Sequence, residues 1–251
     1  MSKPKIAIFD FACCEGCQLQ FVNLEEELLD LLSVADVVEW REAMSEQNDE
    51  YDIAIIEGSI TRLEDEERLM LIRSRAKVLI ALGACATIGG VNKLKNNFDD
   101  LDEVKKCVYG KDAKKPHLAT QPTKSVGEVV DVDFCIHGCP IDRKEFTYIV
   151  RCLVMGKTPE IPDYPICVEC KANGNPCLWD YEQVCLGPII RAGCGARCPS
   201  NGFRCFGCRG YVDNPNVEAA KDVIDKYDLN LDDLKTKMIL FGSRQEPTIY
   251  G

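Results

Sequence analysis

The fold is decided by the segment KIAIFDFACCEGC, residues 5–17. Its β-branched and aromatic residues predict a strand over residues 5–11. A nucleotide-binding fold follows its first strand with a glycine-rich loop that binds phosphate, but this turn has neither a G-x-G-x-x-G pattern nor a phosphate-binding lysine. It carries the thiols of Cys13, Cys14 and Cys17 instead. The turn therefore indicates a metal centre where nucleotide-binding folds place a phosphate.

Strand and helix patterns alternate after this segment. Apolar residues at helical spacing predict a helix over residues 17–32, a capping box of Thr61 and Glu64 predicts the start of a second helix, and Asp142 can cap a third. Residues 89–127 are polar and are expected to cross the surface without regular structure. The remaining predicted strands span residues 36–40, 52–57, 77–82 and 129–134. This alternation is typical of an α/β protein with a flavodoxin-like, doubly wound parallel sheet.

A change in composition divides the chain after this sheet domain, which we assign to residues 1–157. Residues 158–212 begin with a proline-rich linker, are rich in glycine and lack apolar periodicity. Such a segment cannot fold by hydrophobic burial alone, so a metal is expected to organise it. Residues 213–251 are assigned to a C-terminal helical extension, with helices near residues 217–227 and 232–240.

Eight cysteines lie within the second predicted domain, at the spacing C-x2-C-x6-C-x7-C-x8-C-x3-C-x6-C-x2-C. In a reducing compartment this pattern indicates metal ligation rather than disulfide bonds. Eight thiolates suffice for two four-thiolate sites, so the domain is predicted to be small, Cys-rich, ferredoxin-like and iron–sulfur-binding. The eight are Cys167, Cys170, Cys177, Cys185, Cys194, Cys198, Cys205 and Cys208.

Composition and charge indicate the compartment and the partners to expect. The amino terminus runs into the first strand without an apolar leader, and no apolar run approaches the roughly 18 residues of a membrane helix. We therefore expect a cytoplasmic protein with no membrane span. A net charge of −11 argues against a nucleic-acid partner.

Four further cysteines each follow a predicted strand: Cys14 and Cys17 the first, Cys85 the fourth and Cys139 the fifth. Because ligands bind at the carboxyl ends of the strands of such a sheet, these thiols are expected to converge and to hold one iron–sulfur cluster. Zinc would also suit four thiolates, but three neighbouring sites favour iron–sulfur. Ligation by the tandem Cys13 and Cys14 remains open, although adjacent side chains usually diverge.

Other polar residues near these motifs are weaker candidates. Glu57 ends the third predicted strand and is expected beside the first cluster, either tuning it or accepting backbone hydrogen bonds. His137 could donate a hydrogen bond to a cluster sulfur or serve the fold. Cys107, Cys135 and Cys152 lie outside the cysteine blocks and are expected to be unligated.

The cysteine blocks resemble the small, electron-transferring subunit of [NiFe] hydrogenases. The likeness is greatest to the cytosolic group, which includes the sulfhydrogenase delta subunit and the small subunit of methyl-viologen-reducing hydrogenase. It covers about residues 5–210. The motifs that carry it are ACCEGCQLQ (12–20), EGS (57–59), GAC (83–85), GCP (138–140), CLGP (185–188), GCGARCP (193–199) and CFGCRG (205–210).

The resemblance implies three [4Fe–4S] clusters and no catalytic residue in this chain. Cys14, Cys17, Cys85 and Cys139 would bind the proximal cluster, nearest the active site of a large-subunit partner. The eight later cysteines would bind the medial and distal clusters. Electrons from H₂ oxidation would pass one at a time to an electron-accepting iron–sulfur or flavin subunit, or in reverse.

The division of the eight between two clusters is predicted by analogy with two-cluster ferredoxins, in which the last cysteine of each run crosses to the other cluster. One cluster would then take Cys167, Cys170, Cys177 and Cys208. The other would take Cys185, Cys194, Cys198 and Cys205.

Two alternatives remain open at this point. The tandem Cys13-Cys14 is similar to the 20 kDa-type electron-transfer subunit of respiratory complex I, which would predict a membrane partner. A zinc-stabilised interaction protein without redox activity is the other alternative.

Overall fold

A computed structural model describes residues 3–214, 222–223, 225–227 and 236–241. A five-stranded, wholly parallel sheet has the order β2-β1-β3-β4-β5, which is the order of the flavodoxin-like fold. The predicted fold class is therefore confirmed. The strands are β1 (Lys5–Asp10), β2 (Asp36–Trp40), β3 (Ile53–Glu57), β4 (Val78–Leu82) and β5 (Phe134–Ile136).

Helices cover both faces of this sheet. Within the described residues the α-helices are α1 (Gly16–Val22), α2 (Glu26–Val34), α3 (Leu63–Arg75), α4 (Gly83–Ile88), α5 (Leu101–Tyr109), α6 (Arg143–Val154), α7 (Cys167–Ala172) and α8 (Arg197–Ser200). The 3₁₀-helices are Gly90–Asn97, Gly110–Lys114, Pro116–Leu118, Val126–Glu128 and Leu178–Tyr181.

The core lies on the two faces of the sheet. On one face Ile55 packs in a cluster with Phe21 of α1 and Phe146 of α6. On the other, Ile56 packs in a cluster with Leu69 of α3. Every residue of β3 is buried, as expected for a strand covered on both faces. The sheet can therefore fold by apolar burial alone.

The helix predicted over residues 17–32 is wrong as a single element. It is interrupted between α1 and α2, where Glu25 adopts a φ of 53°. Leu24 at the interruption and Leu31 in α2 are both buried. The turn therefore lets both side chains reach the core, which one straight helix would not.

The fifth strand is shifted from its predicted position at residues 129–134. Ser125 and Glu128 form a capping box over a 3₁₀ turn, and the Asp133 carboxylate accepts the backbone N–H of Leu79 at 2.7 Å. The backbone N–H of Asp133 in turn donates to the carbonyl of Leu79 at 3.0 Å, so Asp133 fixes the point at which the strand begins. Ladder pairing begins only after Asp133.

The start of α3 is placed correctly, but its capping residue is not Glu64. Asp65 accepts the backbone N–H groups of Thr61 at 3.3 Å and Arg62 at 3.1 Å. Asp65 is buried whereas Glu64 is exposed, so only the former reaches the turn. The predicted cap at Asp142 is confirmed, since its carboxylate accepts two backbone amides at 3.0 and 3.2 Å.

The polar stretch 89–127 is more ordered than its composition indicates. It contains α5, which Asp100 caps, and the 3₁₀-helix Gly90–Asn97. The Asn92 side chain donates to the carbonyl of Ala12 at 2.7 Å. The stretch is therefore fastened to the cysteine-rich turn after β1.

The cysteine-rich segment after residue 157 has an apolar cluster of its own, contrary to expectation. Trp179, Leu186, Ile189 and Ile190 are each at most 6% exposed and pack together. The exact division at residues 157 and 212 stays a prediction. Half of the residues in the two helices expected at 217–227 and 232–240 lie outside the described residues.

A buried ion pair fastens this segment to the sheet domain. Arg209 is 1% exposed and donates to both carboxylate oxygens of Glu145 in α6, at 2.8 and 2.7 Å. It also donates to the carbonyls of Ala192 and His137. Gly193 must lack a side chain, because a Cβ there would lie 2.2 Å from the guanidinium.

Across the part of the chain that the structure describes, no helix combines the length and apolar content needed to cross a membrane.

Candidate iron–sulfur sites

Four cysteines converge at the carboxyl edge of the sheet, and we call them the first quartet. Cys17 lies in α1 and Cys85 in α4, directly after β1 and β4. The two elements approach closely, because a Cβ on Gly83 would lie 2.4 Å from Cys17 Sγ. The members of the first quartet are Cys14, Cys17, Cys85 and Cys139.

The thiols of the first quartet act on one another electrostatically. Burial, followed by the neighbouring Cys139 and Cys14, raises the pKa of Cys85 to about 12. Burial also raises the pKa of Cys17, with added effects of Glu57, Cys139 and Cys85. The four sulfurs therefore share one crevice, as the strand positions predict.

Cys13 does not share that environment. Burial, followed by the charge of Glu57, raises its pKa to about 12, and the charges that act on it are Glu57, Glu15 and Asp10 rather than cysteines. Cys14, in contrast, raises the pKa of Cys85 and of Cys139, so its thiol lies near theirs.

Glu57 holds the start of α1, the helix that carries Cys17 of the first quartet. Its buried carboxylate accepts the backbone N–H groups of Cys17 and Gln18, each at 3.1 Å. Burial raises the pKa of Glu57, and these amide bonds oppose that rise. Of the two roles left open for Glu57, the structure shows backbone hydrogen bonding, which orients the first turn of α1.

The eight later cysteines fall into two groups, named here by their distance from the first quartet. The inner tail quartet is Cys194, Cys198, Cys205 and Cys208. The outer tail quartet is Cys167, Cys170, Cys177 and Cys185.

In the outer tail quartet, burial, followed by Cys185, Cys170 and Cys177, raises the pKa of Cys167 to about 12. A Cβ on Gly187 would lie 3.0 Å from Cys167 Sγ and 3.6 Å from Cys185 Sγ. The absence of a side chain at Gly187 thus lets the two sulfurs approach.

In the inner tail quartet, burial is the largest cause that raises the pKa of Cys208 to about 11, followed among the cysteines by Cys194, Cys139 and Cys198. Burial is also the main cause of the raised pKa of Cys205, followed among the cysteines by Cys185, Cys208 and Cys194. Two of these neighbours, Cys139 and Cys185, belong to the other quartets.

This grouping differs from the crossed division expected from ferredoxin spacing, which places Cys208 with Cys167 and Cys185 with Cys194. Cys185 instead lies beside Cys167, because the chain approaches α7 closely at Gly187. Cys208 lies beside Cys194 and Cys139, because the following residue, Arg209, is bonded to the sheet domain.

The three quartets are joined by two contacts at backbone amides. The backbone amide of Cys139 in the first quartet lowers the pKa of Cys208 in the inner tail quartet, so it lies beside that sulfur. The N–H of Cys205 in that quartet donates to Cys185 Sγ of the outer tail quartet at 3.2 Å. The order in space is therefore first, inner tail, outer tail.

The remaining candidates are three cysteines outside the quartets and His137, which lies two residues before Cys139. Cys107 is exposed, and Cys135 and Cys152 are partly buried on β5 and α6. Burial, followed by Arg209 and Arg191, lowers the pKa of His137 to about 3, so the imidazole is neutral. Its Nδ1 atom is buried without a hydrogen-bond partner.

Sequence reasoning missed the role of Arg209 and Glu145. In the sequence, arginines near the cysteines suggest a balance of cluster charge, but Arg209 is paired with a carboxylate 64 residues away. The position of Arg209 directly after the last cysteine gives no sign of this partner.

Comparison with known proteins agrees with this geometry. Residues 14–153 match the family described as NADH ubiquinone oxidoreductase, 20 Kd subunit. Sulfhydrogenase 2 subunit delta of Pyrococcus furiosus is 37% identical over 222 residues, which are 88% of this chain and 92% of that protein. A subunit of the vhu F420-non-reducing hydrogenase of Methanococcus voltae is 33% identical over 242 residues, covering 84% of this chain and 83% of that one.

A solved structure shows the same relationship. A chain of the NAD⁺-reducing [NiFe]-hydrogenase in its H₂-reduced state superposes with a TM-score of 0.59 at 27% identity, covering 64% of this chain and 96% of that chain. A parallel sheet with cysteines at its carboxyl edge and a cysteine-rich tail defines an iron–sulfur electron-transfer subunit. The chain belongs to the hydrogenase small subunits, within the family of the 20 kDa subunit of NADH ubiquinone oxidoreductase. The resemblance of its cysteine motifs is thereby confirmed.

Proposed function

We propose that this chain relays electrons one at a time between the large subunit of a cytoplasmic [NiFe] hydrogenase and an electron-accepting iron–sulfur or flavin subunit. The observation that carries the proposal is the unbroken series of quartets, joined at Cys139–Cys208 and Cys205–Cys185. The same series serves H₂ oxidation and, in reverse, H₂ production.

Each quartet supplies the four thiolates that a [4Fe–4S] cluster requires, and such a cluster gains and loses one electron at a time. The first quartet would bind the proximal cluster, the inner tail quartet the medial and the outer tail quartet the distal. The chain's own residues fix the relative positions of these sites through Glu57, Arg209 and Glu145.

The three neighbouring quartets support iron–sulfur clusters over zinc. Zinc also suits four thiolates, but a zinc ion gives no reason for three such sites in a row. A series of [4Fe–4S] clusters, each held by four cysteines, accounts for all twelve thiols.

The surface around the first quartet supports a large-subunit partner at this edge. Cys14 and Cys139 are exposed, and α1 presents Leu19 and Val22 at 57% and 46% exposure. Apolar side chains beside exposed thiols are typical of a surface that a partner covers. Burial by a partner would exclude water from the cluster bound there.

A complex I-like function would use Cys13 and Cys14 together. The presence of two tail quartets, which the 20 kDa-type subunit of complex I lacks, favours the hydrogenase.

Anoxic affinity purification tests the proposal. We expect a brown complex that bleaches with dithionite, contains about 12 irons per copy of this chain and includes a nickel-bearing subunit. Cys85→Ser should lower the iron content by about four, whereas Cys107→Ser, a matched change at an exposed cysteine, should leave it unchanged. A colourless chain with bound zinc, or a complex without nickel, would overturn the proposal.

A further inference from the structure

Four buried side-chain nitrogens have no hydrogen-bond partner among the described residues: Gln18 Nε2, His137 Nδ1, Trp179 Nε1 and Arg191 Nε. Buried polar atoms are almost always bonded, and a bound group can supply a partner that the protein itself does not. Three of the four lie within two residues of a quartet cysteine. This clustering points to the quartets as the source of the missing acceptors.

Three of these nitrogens are accounted for by their own surroundings or chemistry. The Gln18 amide lowers the pKa of Glu57, so a carboxylate lies within its reach. The Arg191 guanidinium is bonded through its other nitrogens to Pro162, Tyr211 and Asp213. His137 is a neutral imidazole, whose Nδ1 can be an acceptor that needs no donor.

Trp179 is not accounted for in this way. An indole nitrogen is a donor only and does not titrate. The residue is 6% exposed and lies in the 3₁₀-helix Leu178–Tyr181, two residues after Cys177. Tyr227 covers its ring at a centroid distance of 5.9 Å. Trp179 is therefore a sheltered donor that requires an acceptor.

The surroundings of Trp179 include the outer tail quartet. Its side chain belongs to the apolar cluster that contains Cys185 and against which Cys170 and Cys177 pack. No protein atom among the described residues accepts the indole N–H, although thiols of this quartet line the same cluster. The acceptor that fits is sulfur of a group bound by these thiols.

We propose that the Trp179 indole donates a hydrogen bond to sulfur of the cluster bound by the outer tail quartet and thereby raises its reduction potential. The inference rests on the proposed function, because it requires a cluster at that site. A donor facing sulfur stabilises the reduced state, which carries one more negative charge. Trp179 would thus be a tuning residue of the terminal site of the relay.

The chain offers a matched control for this inference. Trp40 is also 6% exposed, but its Nε1 donates to Gln18 Oε1 at 2.6 Å. Trp179→Phe and Trp40→Phe remove the same indole N–H from equally buried positions. Only the first variant removes a donor without an acceptor in the protein.

The test is a redox titration of the anoxically purified complex, followed by EPR. Trp179→Phe should lower the potential of one cluster, with the reduction equilibrium changed by up to about tenfold, or 59 mV for one electron. Trp40→Phe should leave the potential of the cluster at the outer tail quartet unchanged. A Trp179→Phe complex with full iron content and unchanged potentials would overturn the inference alone, whereas a wild-type complex short of iron at the outer tail quartet would contradict the proposed function.

If Trp179→Phe does not assemble, pulsed EPR on wild-type complex labelled with ¹⁵N-indole tryptophan decides. A ¹⁵N coupling to a reduced cluster that persists in Trp40→Phe supports the hydrogen bond. The lack of any such coupling in the wild type rules it out.

Discussion

The first quartet and the two tail quartets are supported in different ways. The first rests on a sheet whose central strand is buried throughout, and two of its cysteines, Cys14 and Cys139, are exposed. The tail quartets include the buried Cys185 and Cys205 and are connected by short helices and turns. The sheet thus holds its four thiols on an apolar scaffold, whereas the thiols of the tail are part of the scaffold itself.

This contrast predicts that iron removal affects the two regions unequally, and it is the largest effect expected. Amides of residues 167–208 should lose most of their protection from hydrogen exchange, because metal binding free energy is also folding free energy in such segments. Amides of β1, β3 and β4 should stay protected. Hydrogen exchange of the iron-loaded and chelator-treated chain measures both, and equal loss in the two regions would contradict the contrast.

The ion pair of Arg209 and Glu145, which connects the two regions, gives the next largest effect. Arg209→Ala should lower the free energy of unfolding by about 3–5 kcal/mol, because it leaves the Glu145 carboxylate buried without its partner. Arg197→Ala, which breaks the half-exposed pair with Asp142, should cost at most about 1 kcal/mol. Urea unfolding of both variants measures the difference. Similar values for the two would show that burial of the Arg209 pair has no special weight.

A smaller effect is expected at Glu57, beside the first quartet. Glu57→Gln should destabilise the chain by about 1–3 kcal/mol, since the new amide group can no longer accept from both Cys17 and Gln18. Glu50→Gln changes an exposed carboxylate paired with Lys5 and should have little effect. If the two variants unfold at the same urea concentration, the carboxylate of Glu57 does not stabilise the start of α1.

The smallest effect lies at the opposite end of the sheet. Asp52 accepts the backbone N–H of Lys5 at 2.8 Å and the Lys77 ammonium at 2.7 Å, and these bonds lower its pKa. The stability it adds is present above its unfolded pKa of 3.8 and is lost as the pH falls through the folded value. Asp52→Asn should therefore flatten the loss of stability below about pH 4. An unchanged acid profile would contradict this.

The same contrast explains how much of the structure could be predicted from the sequence. Buried strands such as β3 are visible as apolar runs, and the convergence of Cys14, Cys17, Cys85 and Cys139 follows from parallel pairing. The position predicted for the fifth strand is wrong because Val129, Val130 and Val132 pack against the core beside the sheet without joining its ladder. The grouping of the tail cysteines depends on the close approach of the chain to α7 at Gly187 and on the contact of Arg209 with Glu145. Neither can be deduced from the spacing of the cysteines along the chain.

The ion pair of Arg209 also bears on the timing of electron transfer. A flexible connection between the two regions would let Cys139 and Cys208 drift apart, so that transfer would wait for their re-encounter, as chemistry waits in enzymes gated by a moving lid. A guanidinium with four donations into buried carboxylate and carbonyl oxygens removes that freedom. The relay we propose would then run at a rate independent of solvent viscosity, with its slow step outside this chain.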